Sequence, residues 1–496
     1  MNFLSPTYAL FLLSVVAIFW CLTQSKLRVW ILLLASMIFY ASLQVQYVPL
    51  LFVATWITFQ LGRAIGAPPD WRIEDWDYAQ QDWNRRRIQL LWLGIGLNLV
   101  LLLSFKYMPF LLSSIGASLK ISLMPDAANW KQLSLLAPFG LSFFCFESIA
   151  YLVDVYRGAP AAQSLTKFSA YKLFFPKIIS GPITRYHLFA GQLQQLKPPA
   201  IAQITEGLWL IALGAVKKVI LADRIGEYVN LSFDNLARAG SEDIWLTTIA
   251  YGFQIYLDFS GYVDLARGSA ILLGFNLPQN FDLPYFTTSL ADFWRRWHMT
   301  LGDWLRNYLY FPLGGSRKGL FRTCVNLMIV MLLAGLWHGA AWGFVVWGGV
   351  HGLGLAGHRI VDTISRQSDV MMKFWSSLPG VIIGWGCTQL VVCLSWIFFR
   401  LPNLPDAGLA LSKLWGVPRD PQFLQKIYVE QFQVYPNQIA AMLVGIAIVM
   451  AISGMFRCGL KIQLNWFLRL LLVPLCLYAV WILAPDGATR YIYFDF

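Results

Sequence analysis

Two histidines sit in apolar, tryptophan-rich sequence, and a neutral imidazole is the side chain best suited to take and return a proton near pH 7. Phe293–Pro312 reads FWRRWHMTLGDWLRNYLYFP and carries His298; Leu332–Gly352 reads LLAGLWHGAAWGFVVWGGVHG and carries His338. Burying an imidazole among apolar side chains costs free energy unless the ring is hydrogen-bonded or used. One such residue on each of two successive segments points to proton-transfer chemistry inside a membrane.

Read as one helix from Phe293 to Leu309, the first segment is amphipathic. Phe293, Trp294, Trp297, Leu301, Trp304, Leu305, Tyr308 and Leu309 share a broad arc, Arg295, Arg296, Arg306 and Asn307 take the other, and His298 falls at the apolar edge. Such a helix lies near a membrane surface or caps a cavity, and its histidine is either a hydrogen-bonded anchor or a working group. Around His338, helical spacing lines its face with Ala334, Gly335 and Ala341, with Trp342 one turn on. These small side chains let another helix or a thin substrate come close. A packing seam and a catalytic base both fit.

Other polar residues are candidates for supporting roles. Asp258 and Asp264, in YLDFSGYVDLARG, are acids in an apolar stretch. They suit orienting a histidine, pairing Arg267, a proton path, or a plain ion pair. Asp303 is placed to serve the helix of His298 in the same way. The turn PLGGSRKG (Pro312–Gly319) lacks the P-loop spacing, which argues against nucleotide hydrolysis. Its Arg317 and Lys318 suit either a phosphate-bearing donor or a solvated turn. His187 and His358 are expected to be structural, as is His351, which lies 13 residues beyond His338 and off its helical face. No Ser-His-Asp spacing, HExxH or metal cluster is present. Cys21, Cys145, Cys324, Cys387, Cys393, Cys458 and Cys476 form no CxxC pair and read as small buried hydrophobes.

The elements that must position these residues are membrane helices. Hydrophobic residues make up 57% and charged residues 13%, with a mean hydropathy of +0.56. Soluble domains carry about 25% charged residues, so an all-α polytopic membrane protein is expected. Apolar runs near 7–24, 27–43, 47–66, 88–112, 133–156, 203–221, 244–274, 324–357 (long enough for a hairpin), 380–399, 439–456 and 465–484 suggest about 11–12 spans. Pro176, Gly181 and Pro182 break up 168–186, a re-entrant or interfacial candidate. The N-terminus lacks a positive n-region and a cleavage site, and reads as a retained span. Lys26 and Arg28, Arg85–Arg87, the basic group from Arg157 to Arg185, and Arg295 to Arg322 fall on one side if the N-terminus is outside. They are therefore read as cytoplasmic, with 400–438 and the tail YIYFDF outside. The net charge of +12 suits an anionic leaflet, and no basic-aromatic motif points to nucleic acid. No internal repeat of the transporter kind is present.

The segments FWRRWHMTLGDWLRNYLYFPLGG, GLWHGAAWGFVVWGGVHG, YLDFSGYVDLARGSAILLGF and SGPITR resemble the membrane-bound O-acyltransferase family. The similarity is to its bacterial alginate and polysaccharide O-acetylation branch, with teichoic-acid D-alanyl transferases more distant. It covers most of the chain and is strongest in 135–360. It implies a single domain over 1–496: N-terminal helices 1–112, catalytic core 133–360, external loop 400–438 and C-terminal helix pair 439–484. It also implies a ring of helices around a thinned centre, where a funnel from each side meets. The family's functional histidines map onto His338, the usual catalytic one, and His298. Asp258, Asp303, Trp297 and Trp337 would support them, and Arg317 and Lys318 would meet the donor. The resemblance implies acetyl-CoA as donor and no metal. Its implied partners are membrane lipid, an extracytoplasmic polysaccharide and a periplasmic acetyltransferase, in a bacterial inner membrane. Acyl transfer from a carrier protein and proton-coupled transport are the alternatives.

Overall fold

A computed structural model describes residues 1, 3–69, 75–119, 137–456, 464–484 and 491–492. Among them every regular element is a helix. Six stretches are long and apolar enough to cross a membrane: Ser25–Ile65, Asp77–Gly116, Gly319–His338, Leu378–Arg400, Pro436–Gly454 and Trp466–Leu483. The first holds two consecutive helices, and further apolar helices are shorter, such as Pro6–Cys21. The chain is a multi-pass helical membrane protein. Part of the expected span 133–156, part of the tail YIYFDF, and Cys458 lie outside the described residues.

The chain forms two compact units, one of residues 1–211 and 263–278, the other of 212–262 and 279–496. In the first, α1 (Pro6–Cys21), α2 (Ser25–Gln44), α3 (Val48–Ile65), α4 (Trp76–Leu102), α5 (Met108–Leu119) and α6 (Leu141–Tyr156) precede the broken segment. The break runs between α7 (Leu165–Lys172) and α8 (Tyr186–Gln194), and most of α9 (Ile201–Ala215) follows. The non-helical stretch is buried under protein, as irregular backbone at membrane depth requires. Ser36 Oγ accepts Phe175 N at 3.1 Å, and Tyr171 OH donates to Thr184 O at 2.7 Å. Inside lies an ion pair: Lys177 Nζ donates to Glu147 Oε2 at 2.6 Å, and Thr184 donates its N–H and hydroxyl to Glu147 Oε1, each at 3.1 Å.

The second unit holds both candidate histidines. Its helices include α10 (Asp223–Asp234), most of α11 (Ser241–Leu272), α12 (Leu290–Arg296) and α13 (Met299–Leu305). They continue with α14 (Gly319–His338), α15 (Trp342–Ser365), α16 (Asp369–Ser376), α17 (Leu378–Arg400), α18 (Leu404–Ser412), α19 (Pro436–Gly454) and α20 (Trp466–Leu483). The expected hairpin is α14–α15, turning at Gly339–Ala341, where the backbone is extended. Glycines draw its two arms together. A Cβ at Gly335 would run into Phe344 O, and one at Gly348 into Met331 O, so no larger residue fits either place. This is the close approach expected of the small residues around His338.

A valine at Gly348 must push the arms apart, and overpacking of this kind costs about 1–3 kcal/mol. Gly348→Val is expected to lower the melting temperature of the purified protein in detergent. Gly349→Val is the control, because the nearest neighbour of its Cβ is the flexible end of Leu332 at 3.9 Å. Equal stability of the two variants would contradict the packing described.

Candidate active site

His338 is the last residue of α14 and is 1% exposed. Its Nδ1 lies 2.7 Å from Ala334 O, one turn back. A carbonyl oxygen only accepts, so Nδ1 carries the proton and the lone pair of the neutral ring sits on Nε2. Nε2 is therefore the basic nitrogen. The position favours what a base becomes, because the C-terminal end of a helix stabilises a cation. Trp337, Trp347 and Phe399 wall the ring, with centroids 4.9, 4.9 and 5.2 Å away.

His298 is set up in the opposite sense. The helix expected over Phe293–Leu309 is in fact two, α12 and α13, separated by extended Trp297 and by His298 at φ 43, ψ 54. A left-handed non-glycine residue costs on the order of 1–3 kcal/mol and persists only where its surroundings enforce it. The enforcing element is the segment before α12, where Asp282 N donates to Arg296 O at 3.0 Å and Asn280 O accepts Met299 N at 2.9 Å. Propensity within 293–309 contains no trace of those bonds. His298 is the N-cap of α13, and its Nδ1 accepts the Leu301 N–H at 3.3 Å. With Nδ1 accepting, the neutral ring carries its proton on Nε2. His298 thus offers a donor where His338 offers a base.

Trp337 joins the two histidines, its ring 6.0 Å from that of His298 and 4.9 Å from that of His338. Phe259 of α11 packs edge-on against His298 at 4.9 Å. Trp297 stacks on Phe293 at 5.5 Å and meets Trp396 at 5.1 Å, forming apolar backing.

The helix break also corrects the reading of His351. It lies on α15, across the turn from His338, so helical spacing between the two does not apply. Trp347 touches both rings, at 4.9 Å from His338 and 4.7 Å from His351. Both nitrogens of His351 are engaged: Nδ1 accepts Trp294 Nε1–H at 3.3 Å, and Nε2 donates to Ser395 Oγ at 2.9 Å, which in turn donates to Val392 O. A ring held at both ends suits a structural support, the role expected of this residue.

The acidic candidates are less directly involved. Asp258 Oδ1 accepts from Lys218 Nζ at 2.6 Å, and its Oδ2 accepts Ile492 N at 3.0 Å. Lys218 also meets Asp223 at 2.7 Å, so one buried ammonium is shared by two carboxylates. Of the roles open to Asp258, the ion pair is the one found, and sequence reading missed Lys218. Asp264 pairs loosely with Arg267 at 4.0 Å. Asp303 bonds Arg306 Nη2 on a half-exposed surface. Arg317 and Lys318 stand exposed on the turn after α13, which Asn326 Nδ2 holds through Gly315 O at 2.9 Å. His187 is part-exposed beside Asp154, and His358 is half-buried.

The membrane-bound O-acyltransferase family model matches residues 7–399. A probable alginate O-acetylase, AlgI, of Pseudomonas putida is 36% identical over 82% of this chain and 79% of its own length. A peptidoglycan O-acetyltransferase of Helicobacter pylori is 33% identical over 79% of this chain and 74% of its own. A teichoic acid D-alanyltransferase of Streptococcus thermophilus is 29% identical over 54% of this chain and 69% of its own. The chain belongs to the membrane-bound O-acyltransferase family and is an O-acyltransferase, which sets the transporter alternative aside.

The two neighbouring histidines, His338 and His351, predict unequal losses. His351→Gln keeps a donor amide near Ser395 and is expected to retain acyl transfer within about tenfold, whereas loss of a general base costs about 10²–10⁴-fold. Acyl ester content in a complemented deletion strain, divided by membrane protein level, checks this. A His351→Gln loss as deep as that of His338→Ala would make His351 a reacting group.

Proposed function

We propose that this protein moves an acetyl group from a cytoplasmic thioester, acetyl-CoA, toward the hydroxyl of an extracytoplasmic polysaccharide. The acceptor class follows the alginate and peptidoglycan O-acetylating relatives, and the setting is a bacterial inner membrane. The acetyl passes either directly or through a periplasmic partner transferase. The observation that carries the reading is the opposite bonding of the two Nδ1 atoms, to a carbonyl oxygen at His338 and to a backbone N–H at His298, from which a basic Nε2 on the first and a protonated Nε2 on the second follow. The carrier-protein alternative is less favoured, because the D-alanyl relative matches only 54% of the chain.

His338 Nε2 takes the proton of the incoming hydroxyl as its oxygen attacks the thioester carbonyl carbon. The C=O electrons move onto oxygen, where the His298 Nε2–H donates a hydrogen bond; one such donor contributes about 3–4 kcal/mol. Collapse breaks the C–S bond. The thiolate leaves and takes the proton back from the His338 imidazolium, which the end of α14 has stabilised. An O-acetyl ester and free CoA result. Exposed Arg317 and Lys318 attract the anionic donor.

His338→Ala is expected to lower polymer acetylation by about 10²–10⁴-fold at normal membrane level. Retained acetylation at that level would sink the assignment. Orientation is tested separately, with cysteines placed at Arg86, Arg317 and Asp420. The first two should react only from the cytoplasm and the third only from outside. Labelling of position 317 from the periplasm would reverse the donor side.

A further inference from the structure

A helix starts with backbone N–H groups that no turn of its own can satisfy. At α13 each has a partner. Met299 N donates to Asn280 O at 2.9 Å, Thr300 N to Asn280 Oδ1 at 3.1 Å, and Leu301 N to His298 Nδ1 at 3.3 Å. The Thr300 hydroxyl adds a second bond to the same amide oxygen, at 2.7 Å. Asn280 is fully buried, and a backbone N–H can only donate, so the atom facing Thr300 is the amide oxygen. One asparagine thus accepts two of these N–H groups, and the catalytic-site histidine accepts the next.

That division decides where the His298 ring points. An N-cap side chain can bond the N–H of either the second or the third helical residue. Asn280 already holds the second, so the imidazole is left with the third. Without that oxygen the Thr300 N–H becomes a buried donor, and the nearest acceptor in sequence is His298 Nδ1. The ring would turn toward it, carrying Nε2 off line.

We propose that Asn280 is a positioning residue for acyl transfer, acting through His298 by occupying the Thr300 N–H and hydroxyl. The proposal rests on the donor role given to His298 above. It also explains why a polar residue in the loop LPQNFDLPY is fully buried, although composition alone marks it as a turn.

The test uses the full-length protein in a complemented deletion strain and reads the initial rate of polymer acetylation per unit of membrane protein. Asn280→Leu has similar volume and no acceptor, and a displaced reacting group commonly costs about 10²-fold, so a loss of about that size is expected. Asn280→Asp keeps an acceptor oxygen and is expected to stay within about tenfold of wild type, the margin left when one bond is kept imperfectly. Asn280→Leu combined with His298→Ala should be no slower than His298→Ala alone, because the asparagine has nothing left to position. An aspartate as slow as leucine, or a double variant slower by the full single-variant factor, would overturn the proposal. So would an Asn280→Leu protein whose rate per molecule is unchanged while its level falls, since that is a purely structural role. His298→Ala at the wild-type rate would refute the donor reading of His298 itself. A slow His298→Ala beside an unaffected Asn280→Leu would refute only the positioning role.

Discussion

A backbone hydrogen bond to one nitrogen of an imidazole decides what the other nitrogen can do. In this protein the backbone makes that decision twice, with opposite results. A carbonyl oxygen at Ala334 fixes the proton on His338 Nδ1, and an amide N–H at Leu301 fixes the lone pair on His298 Nδ1. The proposed chemistry needs both outcomes, since a base without a donor leaves the oxyanion unsupported and a donor without a base leaves the hydroxyl unactivated. Each outcome depends on a helix terminus. His338 must end α14 and His298 must cap the start of α13, and the surrounding structure serves to put those two ends where they are.

Burial gives these bonds their authority. Both rings are almost fully enclosed, walled by Phe259, Trp337, Trp347 and Phe399. In so enclosed a setting a backbone contact weighs heavily on the tautomer. The same economy governs the buried charges elsewhere in the chain. Glu147 is met by Lys177 and Thr184, and Lys218 by Asp223 and Asp258, each inside the unit that holds it. An unpaired charge in such surroundings would cost several kcal/mol, which makes these contacts a condition of folding rather than a surplus of stability.

Much of this was legible in the sequence, and the misses have a common cause. Apolar runs located the helices, and the length of the run 324–357 foretold the hairpin that turns at Gly339. The two histidines stood out because buried imidazoles are costly. What periodicity within one segment does not contain is a bond from another. The split at His298 is imposed by Asn280 and Asp282, which lie outside the helical window, and the value of Lys218 to Asp258 comes from 40 residues away. His351 looked remote from His338 because spacing along one helix was applied across a turn. The family resemblance added the pairing of the two histidines, and the fold supplied the backbone hydrogen bonds that distinguish them.

The most direct test is the protonation of the two rings. Nitrogen-15 solid-state NMR of the histidine-labelled protein in bilayers, with His298→Ala and His338→Ala used for assignment, distinguishes protonated from bare ring nitrogens. At a pH where both rings are neutral, the expected result is a protonated Nδ1 with bare Nε2 at His338, and the reverse at His298. Both rings in the same tautomer, or His338 with its proton on Nε2, would contradict the account.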